Sequence, residues 1–188
     1  TEILNDLYLG GKVDAVQKAI VSQYAENEYF GKPCGLLDQS GISLGGINKI
    51  DFKDPAAPEI ETLSAPEGYT LVITNTGGSH AALTEHYAAI KTEMHEVANF
   101  FGKQFLRDVK PEKFFAEIPA LRKKVSERAI LRACHFYEEN ERVDAAAAAL
   151  KSGNTKEFLA AVEASGKSSL NCLQNCFVPG SSEQPVTL

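Results

Sequence analysis

Val13, Val16 and Ile20 recur at helical spacing, and this stripe predicts a helix reaching about Tyr29, where Gly31 and Pro33 stop it. A short second helix is predicted to open at Gly35. The period then shortens. Residues 47–52, 60–63 and 69–75 read as strands, separated by Asp54, Pro55, Pro58 and the Pro66-Glu67-Gly68 turn. From Ala82 the helical period returns, with Tyr87, Ile90, Met94, Val97 and Phe101 on one stripe that ends near Gly102. Ser126 is placed to cap a helix reaching Lys151, Gly153 provides its stop, and Asn154 with Glu157 offers a capping pair for the helix that follows. Residues 145–149, all alanine, are high-propensity helix rather than a repeat. Residues 168–177 read as a final helix, followed by an irregular tail containing Pro179, Gly180 and Pro185. The pattern predicts an α+β chain with a boundary near Pro66: strands and two helices in 1–66, a helix-rich unit in 67–188.

Composition narrows the function classes. With 188 residues, 44% of them apolar, the chain can bury a substantial core. Its 25 acidic and 19 basic residues give a net charge of -6 without a basic stripe, so nucleic acid is not an expected partner. No run of about 18 apolar residues is present to span a bilayer, and the N-terminus lacks a secretory pattern. A soluble, cytoplasmic protein is expected, with no membrane partner. Cys34, Cys134, Cys172 and Cys176 are too few and scattered for a disulfide framework and are expected as free thiols. Cys172 and Cys176 share a helical face, but zinc would need two further ligands nearby. His95-Glu96 is followed by Asn99 where a zinc-protease helix would carry its second histidine.

Candidate chemistry gathers between Tyr24 and Ser43. Asp38 follows Gly35 by three residues, so a helix opening at Gly35 places its carboxylate in the first turn, where the helix dipole favours the ionised form. Gly35 has no side chain, which lets another molecule approach the backbone where amides are still unpaired. Glu26 lies near the end of the preceding helix, and the break at Gly31 and Pro33 can fold it back toward Asp38. Two carboxylates at a glycine turn suit phosphoryl transfer, one near a magnesium ion and one near the attacking hydroxyl. Such residues are more often a helix-stabilising surface charge and a solvated glutamate, and on their own they leave both readings open. Gly41 and Gly46 have the spacing of a phosphate loop, but Ile47 and Asn48 stand where Lys and Ser or Thr belong, and that match is rejected.

The stretch Ala25-Glu26-Asn27 through Cys34-Gly35-Leu36-Leu37-Asp38-Gln39 closely resembles the galactokinase segment that contains the catalytic aspartate, within the GHMP kinase superfamily. Leu71-Val72-Ile73-Thr74-Asn75-Thr76, with His80 and Tyr87 after it, looks like that family's strand, histidine and sugar-contacting tyrosine. His135 through Glu138-Glu139-Asn140-Glu141-Arg142-Val143 resembles a further helix of the same family, and the three matches share one register over nearly the whole chain. The resemblance implies a two-lobed GHMP-kinase-like fold, represented by the end of the N-terminal lobe and most of the helix-rich C-terminal lobe.

By position, it makes Asp38 the carboxylate facing the anomeric hydroxyl of the sugar, Gly35 the point where backbone approaches the sugar, Tyr87 a phenol that hydrogen-bonds it, and Glu26 the magnesium-associated glutamate. The implied activity is ATP-dependent phosphorylation of galactose. Two alternatives are a sugar-binding sensor without turnover and a kinase for N-acetylgalactosamine or arabinose. The family's Glu-His-Thr-Asp signature, its glycine-serine ATP loop and its later glycine-rich motif are absent from these residues. The resemblance therefore implies an interior piece that begins just after the ATP loop, holds no nucleotide-binding residue of its own and is inactive alone. Ser79 stands where some members carry an arginine that holds the catalytic aspartate.

Overall fold

The structure, a computed structural model, describes residues 1–31, 34–74 and 84–176. The chain divides into two compact units: Thr1–Tyr69 together with Leu150–Gly153, and Thr70–Ala149 together with the residues from Asn154 onward.

The first unit opens with α1 (Glu2–Leu9), closed by Gly10 in the left-handed region at φ 61°, where glycine is the least strained residue. Its buried residue is polar. Asn5, 3% exposed, accepts from the Val13 amide at 3.1 Å and donates to the Val13 carbonyl at 3.4 Å, tying down the loop into the next helix. Helix α2 (Ala15–Tyr24) starts on a reciprocal capping box, with the Gln17 amide donating to Asp14 at 2.8 Å and the Asp14 amide donating to the Gln17 side chain. It runs directly into a π-helical turn, Ala25–Tyr29, and Gly31 follows at φ 63°. The predicted helix to Tyr29 is therefore present, with its last turn widened.

Helix α3 (Leu37–Leu44) begins two residues after the predicted opening at Gly35, with Leu36 at its N-cap. Leu36 is buried there, and Cys34, two residues earlier, is bonded through its amide to Asn27. Gly45 and Gly46, both at positive φ, turn the chain into β1 (Ile47–Asp51), which pairs antiparallel with β2 (Glu59–Leu63) in the register Ile47↔Leu63 and Ile50↔Ile60. Helices α2 and α3 pack against each other. The strand predicted over 69–75 is not formed by its described residues 69–74. Leu71 and Ile73 are each 90% exposed. A strand exists through its pairing, and among the described residues only β1 and β2 are paired.

The second unit is helical. It comprises α4 (Thr84–Phe100), a 3₁₀ turn (Leu106–Asp108), α5 (Pro111–Ala116), α6 (Ile118–Leu121), α7 (Glu127–Lys151, whose last two residues count with the first unit), α8 (Thr155–Ser168) and a π-helical turn (Ser169–Leu173). Val97, Leu106, Phe114, Leu121, Ile130 and Tyr137 form its core with neighbouring alanines. Burying a side chain such as Phe114, which is fully inaccessible, contributes about 1.5–3 kcal/mol. The Tyr137 hydroxyl lies within hydrogen-bonding distance of the Leu106 and Val109 carbonyls, at 3.0 and 3.1 Å. Burial pushes that phenol up to about 12.

Helix α7 begins where Ser126 predicts, with the Ala129 amide donating to the Ser126 hydroxyl at 3.1 Å. The Asn154–Glu157 pair caps α8. The predicted final helix over 168–177 is not a separate element: α8 runs through Ser168 into the π turn, and Gln174 ends it in the left-handed region. Phe177 and the predicted tail lie outside the described residues. Among the described residues, no helix is long and apolar enough to cross a membrane.

Candidate functional site

The segment that carries Asp38 is organised around Cys34. Gln23 and Asn27 are four residues apart, near the C-terminal end of α2 and in the π turn that extends it. The Cys34 amide donates to Asn27 Oδ1 at 2.7 Å, and Asn27 Nδ2 donates to the Cys34 carbonyl at 3.4 Å. Gln23 Nε2 donates to the same carbonyl at 3.3 Å. From the other side, Gln39 Nε2 reaches Cys34 Sγ at 3.4 Å. The Gln39 Oε1 atom is buried with no partner among the described residues.

From Cys34 the chain passes through Gly35 and Leu36 into α3, and Asp38 occupies its first turn with an exposed side chain. Amide dipoles at a helix start favour a carboxylate there by about 0.3–1 kcal/mol. An exposed, ionised carboxylate has lone pairs to offer a hydroxyl from outside the chain. A Cβ added at Gly35 would meet no described residue within 4 Å.

Glu26 is half-buried in the π turn and belongs to the same unit as Gly35 and Asp38. Tyr87 lies on α4 in the second unit, with 47% of its surface exposed. His80 and Ser79 lie outside the described residues, as do Asn75 and Thr76. No group of three His, Cys, Asp or Glu side chains among the described residues is placed to hold a metal ion. Magnesium bound with a nucleotide needs only one or two carboxylates, because phosphates and water fill its other positions. A single glutamate such as Glu26 fits that requirement.

The segment around His135 has a structural job. The buried His135 ring, through Nδ1, is 2.9 Å from the Ser168 hydroxyl, joining α7 to α8. Burial holds this imidazole below its usual range, with Glu139 and Glu138 opposing and Arg142 adding to the effect. Arg142 pairs with Glu138 and Glu139, and Ser165 donates to Glu139. None of the four cysteines is in a disulfide, and burial pushes the Cys134 thiol up to about 11, which leaves little reactive thiolate near neutral pH.

Asn27 and Gln39 stand in the quoted motif with no role assigned from sequence, and Gln23 lies just ahead of it. The signal was there in part: two carboxamides at i and i+4 just before a turn share a helical face. Which backbone they reach is decided only when the chain folds back.

No protein-family model matches the chain. It is 35% identical over 153 residues to a galactokinase of Actinobacillus pleuropneumoniae serotype 5b (strain L20), covering 81% of this chain and 38% of that protein. A galactokinase of Pyrococcus furiosus is 30% identical over 156 residues, covering 83% of this chain and 42% of its own length. Among solved structures, the Lactococcus lactis galactokinase complexed with galactose superposes with a TM-score of 0.68 at 22% identity, over 92% of this chain and 45% of that one. The chain thus spans less than half the length of the proteins it matches, and its helix-rich α+β architecture is part of their fold. With 30–35% identity to these two galactokinases over more than four-fifths of its length, this chain is a galactokinase homologue.

Proposed function

We propose that the whole protein is a cytoplasmic sugar kinase that transfers the γ-phosphoryl group of ATP to the anomeric hydroxyl of galactose. Asp38 accepts or orients the hydroxyl proton as the oxygen attacks phosphorus. The observation that carries this reading is the exposed Asp38 carboxylate in the first turn of α3, within a chain homologous to galactokinases. No described residue comes within 4 Å of a Cβ placed at Gly35, which supports the approach of a sugar to that backbone; Tyr87 is assigned a hydrogen bond to the sugar on the family likeness alone. Glu26 would hold a magnesium ion, whose charge offsets that of the phosphate oxygens. Phosphoryl transfer asks mainly for positioning and charge stabilisation, and Asp38 supplies its share from a fixed helix start.

Single-turnover phosphorylation of galactose by the whole protein, with and without Asp38→Asn, tests the assignment. The substitution keeps shape and removes charge, so the rate should fall by about 100- to 10,000-fold while galactose still binds. A variant that kept most of the normal rate would return Asp38 to the role of a charge stabilising its helix. Product analysis with galactose, N-acetylgalactosamine and arabinose decides the sugar. A protein that bound galactose and ATP without turnover would be a sensor.

A further inference from the structure

The turn that presents Asp38 is gripped at one residue, and Asn27 holds both backbone groups of that residue: the Cys34 amide donates to Oδ1 at 2.7 Å and the Cys34 carbonyl accepts from Nδ2 at 3.4 Å. A carboxamide carries acceptor and donor side by side, so it pairs a single residue as a neighbouring strand would. Aspartate lacks the donor, and alanine lacks both. Gln23 supports the carbonyl at 3.3 Å but leaves the amide to Asn27. Beyond Cys34 the path is short: Gly35, then the buried Leu36 at the N-cap, then the first turn of α3 with Asp38. The grip itself comes from a π-helical turn, where one extra residue per turn re-aims the side chains relative to a continuing α-helix.

We propose that Asn27 is a positioning residue for phosphoryl transfer: by fixing Cys34 it sets where α3 starts and hence where the Asp38 carboxylate stands. This rests on the reading of Asp38 as the group facing the sugar hydroxyl. Asn27 itself touches no substrate. A reacting group must be held to within about 0.5 Å of its productive place, and a displacement of about 1 Å costs on the order of 100-fold in rate. One side chain that holds both backbone groups of the residue leading into the turn is placed to provide that precision.

The test compares Asn27→Ala, Asn27→Asp, Asp38→Asn and the double variant Asn27→Ala/Asp38→Asn in the whole protein, by kcat, KM for galactose and ATP, and hydrogen exchange at the Cys34 amide. Asn27→Ala is expected to lower kcat by about 10- to 100-fold, to leave both KM values within about twofold, and to speed exchange at Cys34. Asn27→Asp keeps the acceptor for the Cys34 amide but sets a negative oxygen against the carbonyl, and should fall in between. In the Asp38→Asn background, Asn27→Ala should cost no more than about twofold, because residues acting through one group are not additive. An equal loss in both backgrounds, an unchanged kcat, or unchanged exchange at Cys34 would overturn the role of Asn27 while leaving Asp38 in place. Full activity of Asp38→Asn would overturn the reading of Asp38 and Asn27 with it. If Asn27→Ala does not fold, Asn27→Asp decides: an unaltered kcat in that variant overturns the proposal.

Discussion

Tyr87 and His135 differ in how far solvent reaches them. Tyr87 starts an apolar stripe, yet it is 47% exposed, whereas Val97 on the same stripe is fully buried. Tyr87→Phe in the whole protein should therefore leave the melting temperature almost unchanged. If its hydroxyl bonds the sugar, the loss is about 0.5–1.5 kcal/mol, read as a several-fold rise in KM for galactose. An unchanged KM would assign Tyr87 to surface packing. His135 is the opposite case: its ring is buried against Ser168, and burial lowers its pKa below the ordinary 6.5. In the unfolded chain it takes up a proton first as pH falls, so its contribution to stability is complete above that ordinary value and is lost as pH falls through the folded one. Urea melts at pH 7.5 and pH 5 should show a steeper loss for the natural sequence than for His135→Gln. Equal losses would place the pH sensitivity elsewhere.

Between elements, one polar network in the second unit joins α4, α7 and the π turn after α8. Glu93 receives Arg132 at 2.9 Å and Arg128 at 2.5 Å, and Arg132, 3% exposed, also donates to the Leu173 carbonyl at 2.9 Å. Burial pulls the Arg132 pKa down and the Glu93 charge opposes it; the guanidinium stays charged because its ordinary range lies far above neutrality. Removing one partner of a buried pair leaves an uncompensated charge, at a cost of about 3–5 kcal/mol. Arg132→Ala leaves Glu93 paired with Arg128 and should lower stability by less than that, under about 3 kcal/mol, measured by urea denaturation. Replacing Glu93 and Arg132 together by methionine should cost much less than the two single losses added. Additive effects would mean that the pair is not coupled.

At the scale of the whole molecule, the sequence offers no phosphate cradle, and the described backbone explains why the glycines at 41 and 46 do not make one. Gly41 lies inside α3 and Gly46 leads into β1, so the order is helix, turn, strand. A phosphate loop runs from strand to helix, with unpaired amides at the helix start facing the anion. Isothermal titration of the 188-residue chain with magnesium-ATP should give no saturable binding in the micromolar range, while the whole protein binds. Micromolar binding by the chain alone would require a phosphate site elsewhere in it.

The sequence by itself determined what local bonds and local periodicity control. Ser126 and Asn154 were legible as caps because each bonds an amide three residues ahead. The two strands of the hairpin and the α4 stripe were legible because neighbouring side chains alternate or recur on one face. Asp38 stood out through the residues around it, and its place in the first turn follows from spacing. Other features needed the third dimension. Residues 69–74 have the composition of a strand but pair with neither described strand. Helix α3 starts at Leu37, after a buried Leu36, which spacing from Gly35 does not reveal. The Asn27 grip on Cys34 and the Glu93–Arg132 pair join positions 7 and 39 residues apart. Hydrogen bonds and ion pairs act over a few ångströms of space, so at such separations along the chain only the folded backbone decides which groups meet.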